Sequence, residues 1–183
     1  LFTDFKAFSV AAEEISADVL VRSVDYYFKK FDEIIQKHGL EKIKTIGDAY
    51  MCAGGLPTSN ETHAFDAFEA AQEILKFVKD TLISPPEDIH PFEIRIGLNT
   101  GPVVAGVVGT NKFQYDIWGN TVNIAARMES NSIPGKINIS ENTYEILKDK
   151  MDFTYRGIIS VKNSKKLKMY FAGTETLEPV SQE

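Results

Sequence analysis

Apolar residues in the first 108 positions switch between a helical and an alternating period, and this limits the folds open to the chain. Residues 14–38 carry Val19, Leu20, Val24, Phe28, Phe31 and Ile35 at three- and four-residue steps, with Lys and Glu between them. That is one face of an amphipathic helix, and His38-Gly39 is a helix C-terminal signal. Leu40 to Ile46 alternates, Gly47-Asp48 marks a turn, and Ala49 to Leu56 is short and apolar, so a hairpin is expected. A second amphipathic helix is expected over 61–82, with Phe65, Phe68, Ala71, Leu75, Val78 and Leu82 on one stripe and Ser84-Pro85-Pro86-Glu87 as its break. Phe92 to Leu98 and Val103 to Val108 read as strands either side of an Asn99-Thr100-Gly101 turn. With an opening strand at Leu1-Phe2-Thr3-Asp4-Phe5, the order is β-α-β-β-α-β. The expected class is α+β, a ferredoxin-like antiparallel sheet with two helices on one face.

Beyond Gly109 the sequence predicts a short strand at 113–118, a helix at 120–128, a strand at 137–139, and a helix capped by Ser140 and running to about Lys148. A final hairpin over 153–161 and 167–172 completes an added C-terminal α/β hairpin subdomain. One domain over 1–175 with a polar tail at 176–183 is expected, and the mid-strand opening suggests a piece of a longer protein. The 183 residues, 43% apolar and 25% charged, suffice for a single core. A net charge of −6 argues against nucleic acid as the main partner, because phosphate backbones demand a basic face. One cysteine, Cys52, rules out an intrachain disulfide and suggests a reducing, cytoplasmic setting. No apolar run reaches the ~18–20 residues of a membrane span, so no membrane contact is expected. His38, His63 and His90 share no metal-ligand spacing, and neither a phosphate-binding G-x-x-x-x-G-K-[ST] loop nor a G-x-S-x-G elbow occurs.

Two acids stand out by position. Asp4 ends the first strand and Asp48 sits in the β-hairpin turn. Adjacent central first and third strands would bring them together as a divalent-ion site with few protein oxygens and room for phosphate. Turn-favouring strand-end aspartates are the plainer reading. Lys44, Arg95, Arg127 and Lys162 could meet a polyphosphate. Taken singly, three of them have an ordinary explanation: alternation turns Arg95 outward, the helix dipole favours Arg127, and Lys162 lies in a solvated turn.

Longer motifs decide among these readings. Glu41-Lys42-Ile43-Lys44-Thr45-Ile46-Gly47-Asp48-Ala49-Tyr50-Met51 and the run from Phe113 through Tyr115-Asp116-Ile117-Trp118-Gly119-Asn120-Thr121-Val122-Asn123 to Arg127-Met128 resemble the class III nucleotidyl cyclase catalytic domain. The opening segment to Ser9, Arg95-Ile96-Gly97-Leu98-Asn99-Thr100-Gly101 and Arg156-Gly157-Ile158-Ile159-Ser160-Val161-Lys162 match it in the same order. The resemblance implies that Asp4, Asp48 and the Phe5 carbonyl hold two Mg²⁺ or Mn²⁺ ions. It implies that the loop Phe5-Lys6-Ala7-Phe8-Ser9 wraps the phosphates. Lys44 and Asp116 match the purine-reading pair: Lys donates to adenine N1 and Asp accepts from the 6-amino group, whereas a guanine reader typically has Glu at the first position. Asn123 would orient the ribose, Arg127 would stabilise the transition state at the α-phosphate, and Arg95 and Lys162 would neutralise the β- and γ-phosphates.

The implied activity is adenylyl cyclase, a lyase in which the ribose 3′-hydroxyl attacks the α-phosphate in line with departing pyrophosphate. One ion acidifies the hydroxyl and the other holds the polyphosphate. The resemblance further implies a homodimer with composite sites, each drawing the metal aspartates and Arg95 from one chain and Lys44, Asp116, Asn123, Arg127 and Lys162 from the other. Regulatory domains would belong to a longer parent. Ala7 departs from the family's usual Gly and sets a methyl where backbone approaches phosphate. A guanylyl or mixed-specificity cyclase is the alternative, and so is a silent dimerising domain. Silent members usually lose a metal Asp, the Asn or the Arg, all of which are present here.

Overall fold

The computed structural model describes residues 1–111, 113–161 and 165–173. In chain order its elements are β1 (Phe2–Phe5), α1 (Phe8–Glu14), α2 (Ala17–Lys37), β2 (Glu41–Ile46), β3 (Ala49–Ala53), α3 (His63–Ile83), β4 (Ile94–Leu98), β5 (Val104–Val108), β6 (Gln114–Trp118), α4 (Asn120–Ser130), β7 (Ile137–Ser140), α5 (Glu141–Leu147), β8 (Phe153–Val161) and β9 (Lys165–Ala172). Seven strands form one sheet in the order β2-β3-β1-β4-β7-β9-β8. β1 lies between β3 and β4, antiparallel to both, which is the adjacency of first and third strands expected from the sequence. Only the β4–β7 pair is parallel among the described pairings. The expected C-terminal hairpin, β8 with β9, extends this same sheet through β7.

The alternation within β1 sorts the two faces. Thr3 and Phe5 turn towards α2 and α3, while Phe2 and Asp4 turn towards α4. Tyr27, Phe31 and Ile34 of α2 join Phe68, Ile74 and Val78 of α3 over Ile94, Ile96 and Ile139 of the sheet, all essentially buried. Phe5, only 2% exposed, has the rings of Tyr27, Phe28, Phe31 and Phe92 at centroid distances of 5.1, 6.0, 6.4 and 4.8 Å. Such ring packing fixes the end of β1, and therefore the position of its neighbour Asp4. On the opposite face Phe2, Ile43, Met51, Ile117 and Ala125 form a second, smaller apolar layer beneath α4.

Some boundaries differ from the sequence expectation. The helix anticipated over 14–38 is α2, and it starts later, at Ala17, where Ser16 accepts a hydrogen bond from the Val19 N–H and caps it. The seven-residue helix α1 that precedes it was not anticipated. β3 stops at Ala53, where Gly54 and Gly55 follow, and α4 continues to Ser130. Ser140 caps α5 as expected. β5 does not join the large sheet. It pairs with β6 as a separate two-stranded ribbon. No described helix is long and apolar enough to cross a membrane. Lys162 and the expected tail at 176–183 lie outside the described residues.

Candidate active site

The β2–β3 turn folds Asp48 over the end of β1, beside Asp4. Partial burial raises the Asp48 carboxyl above its ordinary range, and the Asp4 charge raises it further, while the Asp48 and Phe5 backbone N–H groups pull it back. Two carboxylates in each other's field repel until a cation or a proton separates them. The two carboxylates offer hard oxygens, which fit Mg²⁺ or Mn²⁺. Thus the structure does bring the predicted pair together.

Arg95 is the cross-strand partner of Asp4 in the β1–β4 register, and one of its terminal nitrogens donates to Asp4 Oδ2. The sequence left open whether this charge merely faces water. It is instead held between two acids, because Arg95 Nε also lies 3.0 Å from Glu129 Oε1 of α4. That second approach is off the line of a hydrogen bond, so these two buried atoms have no hydrogen-bond partner. The Glu129 side chain is 12% exposed. Burial pushes its carboxyl up to about 7, Arg95 works against the shift, and the Asp4 and Asp48 charges add to it. Glu129 did not figure among the expected site residues. The available signal was Arg95 itself, since a cation in an apolar strand needs a partner.

A second cluster lies on β2 and β6. Lys44 Nζ donates to Asp116 Oδ2 at 2.6 Å, and the Ile117 N–H donates to Asp116 Oδ1 at 2.8 Å. The Asp116 side chain is 11% exposed. Burial alone would raise its carboxyl, but the Lys44 hydrogen bond, the Ile117 N–H and the Lys44 charge together hold it below the ordinary value. A β-bulge makes this pairing possible. Lys42 reaches Asp32 of α2 on one face, and Ile43 packs with Ile117 on the other. The register shift between Lys42 and Lys44 then allows the next residue also to reach the Asp116 side.

Asn123 and Arg127 stand one helical turn apart on α4, whose buried side is Ile124, Ala125 and Met128. Asn123 is exposed and Arg127 half-buried. Among the described residues no hydrogen bond or ion pair joins either side chain to Asp4 or Asp48. In the loop after β1, Lys6 is exposed and its Nζ donates to Glu93. Ala7 takes the left-handed conformation (φ 56°, ψ 28°), Phe8 packs on Phe5 and Phe92, and Ser9 is exposed. A cavity of about 100 Å³, lined in part by Phe2, Met51, His63, Leu98 and Ile117, lies at the other end of β1 and holds none of these polar side chains.

A model of the family described as "Adenylate and Guanylate cyclase catalytic domain" matches residues 1–173. An adenylate cyclase of Mycobacterium tuberculosis is 39% identical over 171 residues, 93% of this chain and 38% of that protein. A membrane guanylyl cyclase of Dictyostelium discoideum is 41% identical over 172 residues, 92% of this chain and 11% of that protein. The chain thus spans well under half of these relatives. Among solved structures, the catalytic core of a rhodopsin-guanylyl cyclase with converted specificity, in complex with ATPαS, superposes with a TM-score of 0.87 at 34% identity. That match covers 95% of this chain and 93% of that one.

Proposed function

The chain belongs to the adenylate and guanylate cyclase catalytic domain family, and from that premise we propose that it converts ATP to 3′,5′-cyclic AMP and pyrophosphate at sites shared between two copies of itself. The observation that carries the choice of ATP is the Lys44–Asp116 pair. Asp116 spends Oδ1 on the Ile117 N–H and remains ionised beside Lys44, so Oδ2 keeps acceptor capacity for an exocyclic amine. Lys44 has three protons and uses one on Asp116, leaving donors for the adenine N1. Guanine presents N1–H and a 6-oxo group, the reverse polarity. The relatives include both adenylate and guanylate cyclases, so purine choice rests on this pair.

Asp4, Asp48 and the Phe5 carbonyl would hold the divalent cations, whose chemistry when bound is acidification of the 3′-hydroxyl and neutralisation of phosphate charge. The chain's own residues do the rest. Asn123 orients the ribose so that its 3′-oxygen faces the α-phosphorus. The 3′-oxygen–phosphorus bond forms as the bond to pyrophosphate breaks, and the hydroxyl proton is released. Arg127 meets the charge that develops on the α-phosphoryl oxygens, a contact whose loss commonly costs about 10²–10³-fold in rate. Arg95, Lys162 and the loop from Phe5 to Ser9 bind the β- and γ-phosphates.

Pairing of copies is supported by two observations. Among the described residues no hydrogen bond or ion pair joins Asn123 or Arg127 to Asp4 or Asp48, and the β5–β6 ribbon leaves Val104 69% and Val107 62% exposed, both on β5. A two-fold pairing would give two equivalent sites, each with the metal aspartates of one copy and the purine pair of the other. The test is product formation from ATP and, separately, GTP with Mg²⁺ or Mn²⁺ across a protein-concentration series. Cyclic AMP with specific activity rising with concentration is expected. Cyclic GMP as main product would overturn the purine assignment, and no product from a demonstrably dimeric protein would favour a silent regulatory domain.

A further inference from the structure

The guanidinium of Arg95 faces two carboxylates, and Glu129 is the one without a part in the reaction described above. Resting on the reading of Arg95 as a phosphate-binding residue, we propose that Glu129 is its positioning residue. Glu129 holds the Nε edge of the guanidinium, so that the terminal nitrogens pass from Asp4 to the polyphosphate when nucleotide arrives.

Helix geometry aims Glu129 inward. At 100° per residue it lies about 200° around α4 from Arg127, so the two side chains leave opposite flanks of the helix. Arg127 is free to serve the other half of a site while Glu129 turns to its own β4. Gly97, two residues beyond Arg95 on the same strand face, makes room for this approach. A Cβ there would stand 1.9 Å from the Glu129 backbone nitrogen. The glycine thus admits the helix backbone that carries the Glu129 carboxylate to Arg95.

The contact itself is unfinished. A terminal nitrogen of Arg95 is aligned on Asp4, while Nε and Glu129 Oε1 sit 3.0 Å apart without hydrogen-bond alignment. A planar guanidinium cannot align fully with both acids from this position. Divalent cations at Asp4 would compete with Arg95 for that carboxylate. Release from Asp4 lets the guanidinium turn, align Nε with Glu129, and present its terminal nitrogens to phosphate. Without Glu129 the released side chain has rotamer freedom and no second anchor. Because Nε is the atom held, the bidentate terminal edge stays available for an anion.

The test compares Arg95→Ala, Glu129→Ala, Glu129→Gln and the Arg95→Ala/Glu129→Ala double variant. Each is measured for KM and kcat with ATP, for calorimetric binding of inorganic pyrophosphate in the presence of Mn²⁺, and for melting temperature. Arg95→Ala and Glu129→Ala should each weaken pyrophosphate binding and raise KM by about tenfold with little change in kcat. The double variant should be no worse than Arg95→Ala, because both remove one contact. Glu129→Gln keeps an acceptor oxygen for Nε–H, should recover most of the affinity, and should melt no lower than the unmodified chain. Wild-type pyrophosphate affinity in Glu129→Ala overturns the inference, as do additive losses of about a hundredfold in the double variant. If Arg95→Ala itself binds pyrophosphate normally, the phosphate role of Arg95 has failed, and the inference falls with it. Normal loss in Arg95→Ala with none in Glu129→Ala leaves that role standing and rejects Glu129 alone.

Discussion

Ala7 occupies a backbone conformation, φ 56° and ψ 28°, that costs a residue with a Cβ about 1–2 kcal/mol. It does so at the first bend after β1, in the loop assigned to the phosphates. Replacing it with Gly removes the steric cost but gives the unfolded chain more freedom, roughly 0.5–1 kcal/mol in the other direction. Ala7→Gly should therefore stabilise by about 0.5–1 kcal/mol, a rise in melting temperature of roughly 1–4 °C for a chain of this length. It should leave KM for ATP unchanged or lower, since the methyl that backs onto the phosphate path is gone. Differential scanning calorimetry and a KM measurement check both halves, and a lowered melting temperature would contradict the strain argument. The sequence showed this residue as a departure from a motif but could not show its φ. Asp4 and Asp48, by contrast, are legible as a pair, because adjacent first and third strands bring the end of one and the turn before the other together. Glu129 was the harder case. A glutamate on an amphipathic helix reads as solvent-facing, and only the helix's seat on β4 turns it into a buried partner of Arg95.

The elements that were legible are those whose own periodicity declares them: the two long helices, the β2–β3 hairpin, the central strands and the Ser140 cap. What was not legible depends on partners remote in sequence. Alternation identifies β5 as a strand but not that it pairs with β6 away from the large sheet. A bulge at Ile43 leaves no trace in the period, yet it decides whether Lys44 can reach Asp116. The seating of α4 on the face opposite α2 and α3 is likewise a tertiary choice, and it turns on Gly97. A methyl there would meet backbone atoms of Glu129 and Met128 at 1.9 and 2.5 Å, and backbone cannot swing aside as a side-chain tip can. Gly97→Ala should cost about 3 kcal/mol, a fall of roughly 6–12 °C in melting temperature. Urea unfolding and a thermal melt measure it. A variant that melts like the unmodified chain would mean that α4 can lift from β4, and the Arg95–Glu129 contact should then weaken as well.

At the scale of the whole molecule, the proposed site residues fall into two groups on different elements. Asp4, Asp48 and Arg95 gather at the end of β1, while Asn123 and Arg127 stand on α4 without a bond to them. Each copy would lend one half to each of two sites in a symmetric pair, so damage to the two halves should be complementary. Asp48→Ala removes a metal ligand and Arg127→Ala removes the cation for the transition state, and either homodimer would have two broken sites. Mixing equal amounts and allowing exchange makes about half of the dimers mixed. Each mixed dimer has one site with both defects and one with neither, so recovered activity should approach about a quarter of the unmodified level. Cyclic AMP formation in the mixture, against each variant alone at the same total concentration, is the measurement. Recovery near that level requires that the two halves come from different chains. Two inactive variants that stay inactive together, while a cross-linking control shows that they exchange, would mean that one chain must bring both halves of a site itself.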